Sequence, residues 1–327
     1  TVHCRMRAYV VTRYGPPEVV VERNLPFPVP QQGQLLVRVH ACTVSSGDAR
    51  IRGLNVPRGF TTLTRLALGR HAPRQPVLGG EFAGVVIGVG PGVTRFALGD
   101  QVFGLSRKLG AHAELVVVGE RDAVAHKPEA LSFAEAASLP FGATTMLDFY
   151  RRAALAPGEQ VLVNGASGAV GVAAVQIAVA EGASVTAVCS AANAALVRSL
   201  GAQRVIDYAH EDFAGEGPRY DVIVDAVGTA PFARASRALR PGGRLLAVLA
   251  DLPAMLAAPF QSLGGKRVIA GPVTEREADA LRIGELAAGG ALRPVIDRRY
   301  ALAEIVEAHR RVDSGRKRGS VVLTVVD

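Results

Sequence analysis

Hydrophobic and polar residues alternate in short runs over the first third of the chain. Runs of this kind, bounded by glycine and proline, predict short β-strands, and a series of them predicts a small antiparallel barrel. The predicted strands are Arg7–Thr12, Gln34–Val39, Gly84–Gly90, Gln101–Leu105 and Glu114–Val118. No helix of ordinary length is expected in this part, apart from a short one at Thr61–Gly69 with leucines along one side.

The pattern changes near Lys127-Pro128. Ser132 and Glu135 have the spacing of a capping box, and an alanine-rich helix is expected to follow, to about Ala154. Strands then alternate with helical stretches, which predicts a parallel sheet covered on both faces. The predicted strands are Gln160–Asn164, Ser184–Cys189, Arg204–Ile206, Asp221–Asp225, Arg244–Leu249 and Arg267–Ala270, and the helices between them include Ala169–Ala180 and Ala191–Leu200.

The end of the chain is expected to return to the first domain. Helical patterns at Glu275–Ala288 and Leu302–Val312 precede a strand pattern at Ser320–Val325. A chain of 327 residues suggests two domains. We therefore predict a β-barrel domain from residues 1–126 and 271–327, and a doubly wound nucleotide-binding domain at residues 127–270.

Composition and charge narrow the functional classes. The net charge of +8 could indicate nucleic-acid binding, but the basic residues are dispersed, except at Arg316-Lys317-Arg318. Aromatic residues make up 5 % and tryptophan is absent, so base-stacking surfaces and a nucleic-acid partner are not expected. The apolar runs are too short for a membrane span, and the first residues lack the features of a signal peptide, so a cytoplasmic protein is expected.

The three cysteines are far apart in the sequence. They are Cys4, Cys42 and Cys189, and no two of them form a CxxC pair. The seven histidines are scattered as well, without an HExxH or H-x-H pattern. Neither a disulfide framework nor a cysteine zinc site is therefore predicted.

The strongest chemical signal is the glycine-rich turn Gly165-Ala166-Ser167-Gly168-Ala169-Val170-Gly171, which joins a predicted strand to a predicted helix. Gly165 would permit the tight turn, Gly168 would let the backbone approach a pyrophosphate, and Gly171 would let helix and strand pack closely. The pyrophosphate would lie at the helix N-terminus. Because strand, turn, helix and second strand follow in the required order, we interpret the segment as a dinucleotide site; the alternative is a purely structural turn.

The end of the second strand bears on the choice of dinucleotide. An acidic residue there would hold the ribose 2′-hydroxyl of NAD, but this chain has Cys189-Ser190-Ala191-Ala192-Asn193. The absence of a carboxylate permits the 2′-phosphate of NADP. Ser190 could donate a hydrogen bond to that phosphate and also cap the next helix, or it could serve only as the cap.

Several motifs together resemble the medium-chain dehydrogenase/reductase superfamily, and most closely its zinc-free quinone oxidoreductase and enone reductase branch. They are the glycine-rich turn, Arg198–Tyr208, Asp221–Gly228, Pro241–Arg244, Pro294–Arg298, Arg7–Val11, Gly15–Glu18 and Val77–Gly84. The resemblance implies a co-chaperonin-like (GroES-like) β-barrel catalytic domain and a Rossmann domain with a doubly wound parallel sheet. It also implies NADPH, a small hydrophobic carbonyl or quinone substrate bound between the domains, and a homodimer.

The resemblance also bears on zinc. The positions that match the catalytic zinc ligands of related alcohol dehydrogenases are Ser45, Gly80 and about Pro140, and the chain lacks the four cysteines of a structural zinc lobe. None of the three is a good zinc ligand, so we predict no metal. Without a Lewis acid, an enone or a quinone is an easier hydride acceptor than a simple ketone, provided that donors stabilise the developing oxyanion.

The family motif Asn-Pro-x-Asp-x-Lys/Arg corresponds here to Ser45, Asp48 and Arg50. The resemblance implies that Ser45 donates a hydrogen bond to the substrate and that Arg50 serves the cofactor or the oxyanion. Asp48 would orient Arg50 or the local backbone, or simply cap a turn. No dedicated proton donor is evident.

The resemblance further implies which residues contact the cofactor. Tyr208 would contact the 2′-phosphate. Ala192 occupies the position of the usual cation, so Arg316 or Lys317 would supply the positive charge instead. Thr144 would lie near the nicotinamide ribose. The nicotinamide would lie at the strand ends marked by Val227 and Leu249. The expected cofactor-binding set is Thr144, Gly165, Ala166, Ser167, Gly168, Ala169, Val170, Gly171, Ser190, Asn193, Tyr208, Val227, Leu249 and Lys317.

Two other functions remain open at this point. One is an NADP-dependent ketone reductase or secondary-alcohol dehydrogenase, which oxidation of simple alcohols would reveal. The other is a non-catalytic NADPH-binding protein. The leucines of Thr61–Gly69 suggest an apolar lid over the cleft and hence a hydrophobic substrate.

Overall fold

The computed structural model describes residues 5–262 and 265–326. The chain begins with an antiparallel pair of strands, β1 (Arg5–Val11) and β2 (Val20–Pro26). Strand β2 was not predicted, because its second half, Glu22-Arg23-Asn24, is polar and exposed. Ala8 and Val10 also make single bridges to Ala113 and Val77, so the pair closes over one side of the barrel.

The barrel sheet has seven strands on one path or attached to it. They are β3 (Gln34–Val44), β4 (Glu81–Val89), β5 (Gln101–Leu105), β6 (Leu115–Gly119), β7 (Val124–His126), β14 (Ile296–Ala301) and β15 (Ser320–Thr324). Their order is β14-β15-β3-β4-β5-β7, with β6 paired to β3. Strand β15 lies antiparallel to β3, which confirms that the end of the chain returns to the first domain. Strand β14 was not predicted, since it is largely polar.

The second sheet is parallel throughout and contains six strands. They are β8 (Gln160–Asn164), β9 (Ser184–Cys189), β10 (Arg204–Asp207), β11 (Tyr220–Asp225), β12 (Leu239–Ala247) and β13 (Arg267–Ile269). Their order is β10-β9-β8-β11-β12-β13, the arrangement of a Rossmann sheet. The fold class is thus confirmed as a GroES-like barrel with a Rossmann-like parallel sheet, while the domain boundaries at residues 126 and 270 stay predictions.

Helices flank both sheets. In chain order they are α1 (Ser46–Gly53), α2 (Thr61–Leu68), α3 (Phe133–Ala137), α4 (Pro140–Ala153), α5 (Ala169–Ala180), α6 (Ala194–Ser199), α7 (Phe232–Ala238), α8 (Leu252–Gln261), α9 (Glu277–Ala288) and α10 (Ile305–Asp313). Helix α5, strand β8 and strand β9 have the predicted bounds. Each is a run of buried residues between glycine-containing turns, which local sequence marks clearly.

The predicted long helix after Ser132 is two helices. The capping box of Ser132 and Glu135 is present, but α3 ends at Ala137 and α4 starts at Pro140. Proline at the first position of a helix lacks the N–H that would continue the preceding helix. The break turns the chain, so that the Phe141 N–H points at the barrel residue Glu81, with 2.7 Å between the Phe141 nitrogen and Glu81 Oε1.

Helix α1 is a second short helix in the barrel part, of eight residues, and it was not predicted. Its sequence is mostly polar and has no apolar period of 3.6 residues. The helix forms because Ser45 and Asp48 build a capping box at its start, and because Arg52 is buried against the backbone of Gly15 and the carboxylate of Asp313. Helices α7 and α8 were not predicted either.

Candidate functional site

The glycine-rich turn between β8 and α5 has the conformation that the sequence predicted. Gly165 has φ of +81°, and a Cβ there would lie 2.5 Å from Val227 Cγ1. A Cβ on Gly171 would lie 2.1 Å from the carbonyl oxygen of Gly165. Both positions therefore require glycine for steric reasons, one for the turn and one for close packing of helix on strand.

Gly168 is different, because space remains in front of it. A Cβ there would find its nearest described atom, the Gly165 carbonyl oxygen, at 3.8 Å. Gly168 is also the N-cap of α5, so the free N–H groups of the first helical turn follow it directly. Exposed backbone at a helix N-terminus binds phosphate groups, and the turn thus fits the pyrophosphate of a dinucleotide.

A cavity of about 720 Å³ opens beside this turn. Its walls are the turn, the end of β9, Tyr208, and a segment near the end of the chain, residues 315–318. The cavity is lined by four cations, which are Arg234, Arg316, Lys317 and Arg318, and by no carboxylate. Among the described residues, no ion pair engages the guanidinium groups of Arg316 and Arg318. The cavity therefore attracts anions.

Three polar residues predicted to contact the cofactor line this cavity: Ser190, Asn193 and Tyr208. Ser190 precedes a short helical turn, but its side chain makes no capping hydrogen bond, which contradicts the capping role. Asn193 Nδ2 donates to Ser167 Oγ at 2.9 Å, while its Oδ1 is buried without a partner among the described residues. These two side chains thus keep hydrogen-bonding capacity for a ligand.

A second cavity, of about 360 Å³, continues from the first into the space between the two domains. Gly165, Gly168, Val227, Gly315 and Lys317 line both cavities. The second cavity is also lined by residues of the barrel domain and by residues at the strand ends of the parallel sheet. These are Ser46, Arg50 and Val312 from the former, and Ala226, Val248 and Leu249 from the latter. Ala169, Val170 and Gly171 complete the wall on the side of α5.

Arg50 is the cation that α1 contributes to this second cavity. Its side chain is partly buried, and it forms no ion pair or side-chain hydrogen bond within the described part of the chain. Burial lowers the pKa of the Arg50 guanidinium, although arginine stays charged at any ordinary pH. A partly desolvated cation without a counter-ion is a site for a negatively charged or developing anionic group.

Lys317 provides a second positive charge where the two cavities meet. Its Nζ donates to the carbonyl oxygen of Gly319 at 2.7 Å. Burial lowers the pKa of Lys317 to about 8, with Arg50 adding to the effect and Glu81 and Asp297 opposing it. Lysine with such a pKa is mostly protonated at neutral pH and can release its proton readily.

Ser45 and Asp48 are hydrogen-bonded to each other in the cap of α1, which agrees with the cap and backbone roles expected of Asp48, whereas the substrate role of Ser45 stays a prediction. The Ser45 hydroxyl donates to Asp48 Oδ2 at 2.6 Å, and Ser45 Oγ accepts from the Asp48 N–H at 3.1 Å. Asp48 Oδ1 accepts from the Gly79 N–H at 3.0 Å, and it makes no contact with Arg50. The Ser45 proton is therefore engaged in the helix cap, and Asp48 orients backbone and not Arg50.

The threonine on the wall of the second cavity is Thr145 and not Thr144. Thr144 is buried, with an exposed fraction of 1 %, and its Oγ1 has no hydrogen-bond partner among the described residues. Thr145 donates to the carbonyl oxygen of Phe141 at 2.7 Å, one helical turn earlier. Adjacent helical residues point about 100° apart, so the two threonines face different directions, and the expected contact of Thr144 with the nicotinamide ribose stays a prediction.

Glu81 is a residue near the cleft that sequence reasoning did not single out. Its carboxylate is buried, accepts from the Thr43 hydroxyl, and accepts from the Phe141 N–H at 2.7 Å. Burial raises the pKa of Glu81 to about 7, with the negative charge of Asp48 adding to the effect. The quoted motif Gly79-Gly80-Glu81 contained it, but sequence alone could not show that the carboxylate turns inward.

Arg234 is another residue of the first cavity that sequence reasoning missed. It is the third residue of α7, the helix that follows β11, and its guanidinium lies 4.4 Å from the ring centre of Phe213. It pairs with Asp212 at 2.9 Å, so only part of its charge is available to a ligand. No local motif marks it, since the position follows from packing of α7 against β12.

Helix α2 was predicted to form an apolar lid over the cleft. No residue of α2 lines either cavity, so the helix forms where expected but is not a lid in this conformation.

Cys42 and Cys189 are free and buried, while Cys4 lies outside the described residues. Within residues 5–262 and 265–326, no cluster of three or more His, Cys, Asp or Glu could hold a metal ion. Over the same residues, no helix has the length and apolar character needed to span a membrane.

Comparison with known proteins places this architecture among dehydrogenases. Residues 31–129 match the alcohol dehydrogenase GroES-like domain, and residues 200–323 match the family described as zinc-binding dehydrogenase. The chain is 31 % identical to the quinone oxidoreductase of Mus musculus, over 97 % of this chain and 97 % of that protein. It is 30 % identical to the 2-methylene-furan-3-one reductase of Solanum lycopersicum, over 97 % of this chain and 79 % of that protein.

A solved structure matches the whole fold. The quinone oxidoreductase from Coxiella burnetii superimposes with a TM-score of 0.87 and 29 % sequence identity. The match covers 99 % of this chain and 100 % of that one. Both domains and their connection are thus shared with that protein.

Proposed function

The chain belongs to the medium-chain dehydrogenase/reductase superfamily, and we propose that it is an NADPH-dependent, zinc-independent reductase of quinones or α,β-unsaturated carbonyl compounds. Its relatives are named as oxidoreductases that use nicotinamide cofactors or act on quinones and enones. The observation that carries the proposal is the pair of connected cavities, one lined by cations without carboxylates and one holding the unpaired Arg50.

NADPH is favoured over NADH by the charge of the first cavity. The end of β9 carries Ser190 in place of the acidic residue that would hold a 2′-hydroxyl. Arg316 and Arg318 line the same cavity with free guanidinium groups and would hold the 2′-phosphate together with Tyr208. Arginine binds phosphate with two parallel hydrogen bonds. These two arginines would therefore replace the cation that relatives carry at the position of Ala192.

The remaining cofactor contacts follow the geometry of the two cavities. The turn from Gly165 to Gly171 would hold the pyrophosphate, and Asn193 Oδ1 would accept from a ribose hydroxyl. Val227 and Leu249 would pack on the nicotinamide in the second cavity. Thr145 takes the place proposed by resemblance for Thr144, because Thr145 is the one on the cavity wall.

Zinc independence rests on the residues at the three positions that match catalytic zinc ligands. Ser45 is engaged in the cap of α1, Gly80 has no side chain, and Pro140 has no donor atom. Zinc needs about four nitrogen, sulfur or oxygen donors in tight geometry. The stabilisation of negative charge therefore falls to Arg50 and Lys317.

In the proposed mechanism, NADPH held at the glycine-rich turn would supply a hydride to the β-carbon of an enone or to a quinone. The electron pair of the double bond moves toward the carbonyl oxygen, where negative charge develops. Arg50 and Lys317 stabilise this charge from the wall of the second cavity, and a preorganised cation is worth most in such a partly desolvated place. The enolate carbon or the hydroquinone oxygen is then protonated by water, or by the ammonium of Lys317.

The test is a set of assays in which nicotinamide absorbance reports turnover. Purified protein is mixed with NADPH or NADH and a panel of quinones, enones, simple ketones and, in the reverse direction, secondary alcohols. We expect consumption of NADPH with quinones or enones and poor use of NADH. Tight NADPH binding without turnover of any acceptor would refute the reductase proposal and leave a non-catalytic nucleotide-binding protein. Oxidation of simple alcohols would indicate the alcohol dehydrogenase instead.

The family resemblance also supports a homodimer that acts on a small hydrophobic substrate in the cytoplasm. Strand β13 is the last strand of the parallel sheet on its side, and its outer edge has no partner within the described residues. Light scattering during size-exclusion chromatography measures the mass directly. A mass near that of one chain would exclude the dimer.

A further inference from the structure

The stretch of chain from the middle of helix α1 to the start of strand β4 carries only positively charged side chains. From Ala49 to Gly80 the chain has six arginines and no aspartate or glutamate. Arg50 faces the second cavity and Arg52 is buried, so four remain at the surface: Arg58, Arg65, Arg70 and Arg74. A segment with one sign of charge on its surface is suited to an anionic partner.

Helix α2 lies wholly within this segment and buries none of its residues. Leu63 and Leu66 lie three positions apart, hence on one face, and their exposed fractions are 51 % and 68 %. A helix of a globular protein ordinarily buries its apolar face, because that burial is the main source of its stability. The exposed leucines of α2 are therefore unexplained by packing within the described chain.

The arginines beside these leucines are not neutralised by the protein. No described carboxylate forms an ion pair with Arg65, Arg70 or Arg74. Arg74 instead donates to the carbonyl oxygen of Ala67, which holds it close to the end of α2 at 3.1 Å. Only Arg58 has an acidic partner, Asp251.

That ion pair brings a second exposed apolar helix to the same place. The Leu252 N–H, at the start of α8, donates to the Arg58 carbonyl oxygen at 3.0 Å. Helix α8 has no charged residue, and Leu256 and Phe260, one turn apart, are 66 % and 75 % exposed. The start of α8 thus lies against Arg58, in the stretch of chain that leads into α2.

We propose that the surface formed by Arg58, Leu63, Arg65, Leu66, Arg70 and Arg74 docks on the face of an anionic lipid bilayer. Helices that lie in a membrane interface combine apolar residues on one face with arginine or lysine beside them. The anionic headgroups pair with the arginines, and the two leucines enter the boundary between headgroups and acyl chains. Leu256 and Phe260 extend the apolar contact from α8.

This inference does not depend on the proposed reductase function, because lipid binding is measured without cofactor or acceptor. The full-length protein is sedimented with vesicles of phosphatidylcholine alone, or of phosphatidylcholine mixed with an equal amount of phosphatidylglycerol. We expect binding to the mixed vesicles only. Added salt will weaken it, since the interaction of exposed charges is screened.

Three variants separate this surface from overall charge. The triple substitution Arg65→Gln, Arg70→Gln and Arg74→Gln is expected to lower the binding constant by about 100-fold, from the usual contribution of single basic residues near anionic lipid. Leu63→Ser with Leu66→Ser is expected to lower it as well. The control is Arg23→Gln, Arg121→Gln and Arg198→Gln, which removes the same charge from exposed arginines elsewhere and should leave most of the binding.

Because the substituted side chains are exposed in all three variants, each variant should unfold at the temperature of the wild type. The proposal is refuted if the wild type fails to sediment with the mixed vesicles. It is also refuted if the control loses as much binding as the triple variant at Arg65, Arg70 and Arg74, since net charge would then explain the result. If the leucine variant dissociates an oligomer in sedimentation velocity runs without lipid, the surface is covered by a second copy of the chain, and the lipid assignment falls.

Discussion

The N–H of Gly319 donates a hydrogen bond to the carbonyl oxygen of Ser167, with 2.8 Å between nitrogen and oxygen. The bond joins the glycine-rich turn of the parallel sheet to the segment that leads into β15 of the barrel. The cations of residues 316–318 are thereby held over the cavity beside the turn. This one segment therefore contributes to the wall of the cavity and also connects the glycine-rich turn to the barrel sheet.

The first prediction concerns the cations of this segment. In the double variant Arg316→Gln with Arg318→Gln, the dissociation constant of NADPH should rise by about 10- to 100-fold, since a charge-assisted hydrogen bond contributes about 1.5–3 kcal/mol. The dissociation constant of NADH should change much less, because it has no 2′-phosphate. Fluorescence titration with both dinucleotides measures the ratio.

The control for these two positions is Arg121→Gln with Arg198→Gln, which lowers the charge of the protein equally but away from the cavity. It should leave both dissociation constants near the wild-type values. Equal weakening of NADPH and NADH by the double variant at 316 and 318 would show that these arginines hold the pyrophosphate and do not select the 2′-phosphate.

A second prediction uses the free space at Gly168. The substitution Gly168→Ala places a methyl group where the nearest described atom is 3.8 Å away, so the fold should keep its stability. The methyl group would project toward the bound pyrophosphate and weaken dinucleotide binding by roughly tenfold or more. Calorimetric titration and thermal unfolding together measure the two effects.

The matched variants for Gly168 lie in the same chain. Gly171→Ala brings a Cβ within 2.1 Å of a carbonyl oxygen and should lower the unfolding temperature sharply. Gly284→Ala, inside α9, has its nearest described neighbour at 3.9 Å, so it should leave dinucleotide affinity unchanged and raise the free energy of unfolding by about 0.5–1 kcal/mol, because alanine favours the helix. Unchanged affinity in Gly168→Ala would mean that the dinucleotide does not pass over this turn.

A third prediction separates Arg50 from Ser45. Arg50→Gln should lower kcat by about 100- to 1,000-fold if its charge stabilises the oxyanion, and Arg50→Lys should restore part of the rate. Ser45→Ala should instead lower the free energy of unfolding by about 1 kcal/mol, since it removes a helix cap. Steady-state kinetics and urea unfolding of the three variants are compared. A large fall in kcat for Ser45→Ala with normal stability would restore Ser45 as the substrate donor.

A fourth prediction follows from the pKa of Lys317, which burial lowers to about 8. If its ammonium stabilises the developing charge, kcat will fall as the pH rises through about 8, because the lysine loses its proton there. In Lys317→Arg the charge persists, so this fall should disappear, whereas Lys317→Met should be slow at every pH. An unchanged pH profile in both variants would assign the titration to another group.

A fifth prediction concerns stability in acid. His309 is fully buried, and neither ring nitrogen has a hydrogen-bond partner among the described residues. Burial, His112 and Arg52 all lower the pKa of His309 well below its usual value, so the native imidazole stays neutral. The unfolded chain takes up a proton as the pH falls below about 6.5, and the free energy of unfolding must decrease there.

Replacement of this histidine by leucine removes both the proton uptake and the unpaired nitrogens. His309→Leu should raise the free energy of unfolding at neutral pH by about 1 kcal/mol, and by more at about pH 5. His71→Gln, at an exposed position, should change neither value. Urea unfolding at both pH values is the measurement, and an equal acid sensitivity of wild type and His309→Leu would refute the assignment.

Local sequence was sufficient for the parts of the fold whose signal is local. The bounds of β8, α5 and β9 were predicted from apolar runs and glycines, and the turn between β8 and α5 has the expected conformation. The capping box at Ser132 was predicted as well. Polar elements such as β2, β14 and α1 were missed, since hydrophobic periodicity is weak where an element is held by capping, ion pairs or an adjacent strand.

By itself, the sequence determined the two fold types, the glycine-rich turn and the absence of an acidic residue after β9, because strand, turn and helix signals arise between near neighbours in the chain. Only the tertiary structure decided that Lys317 meets the glycine-rich turn, that Asp48 holds Gly79 and not Arg50, and that Thr145 and not Thr144 lines the second cavity. The partner of a side chain depends on how distant elements pack, and on the direction in which each residue leaves its helix. No spacing along the chain encodes that direction.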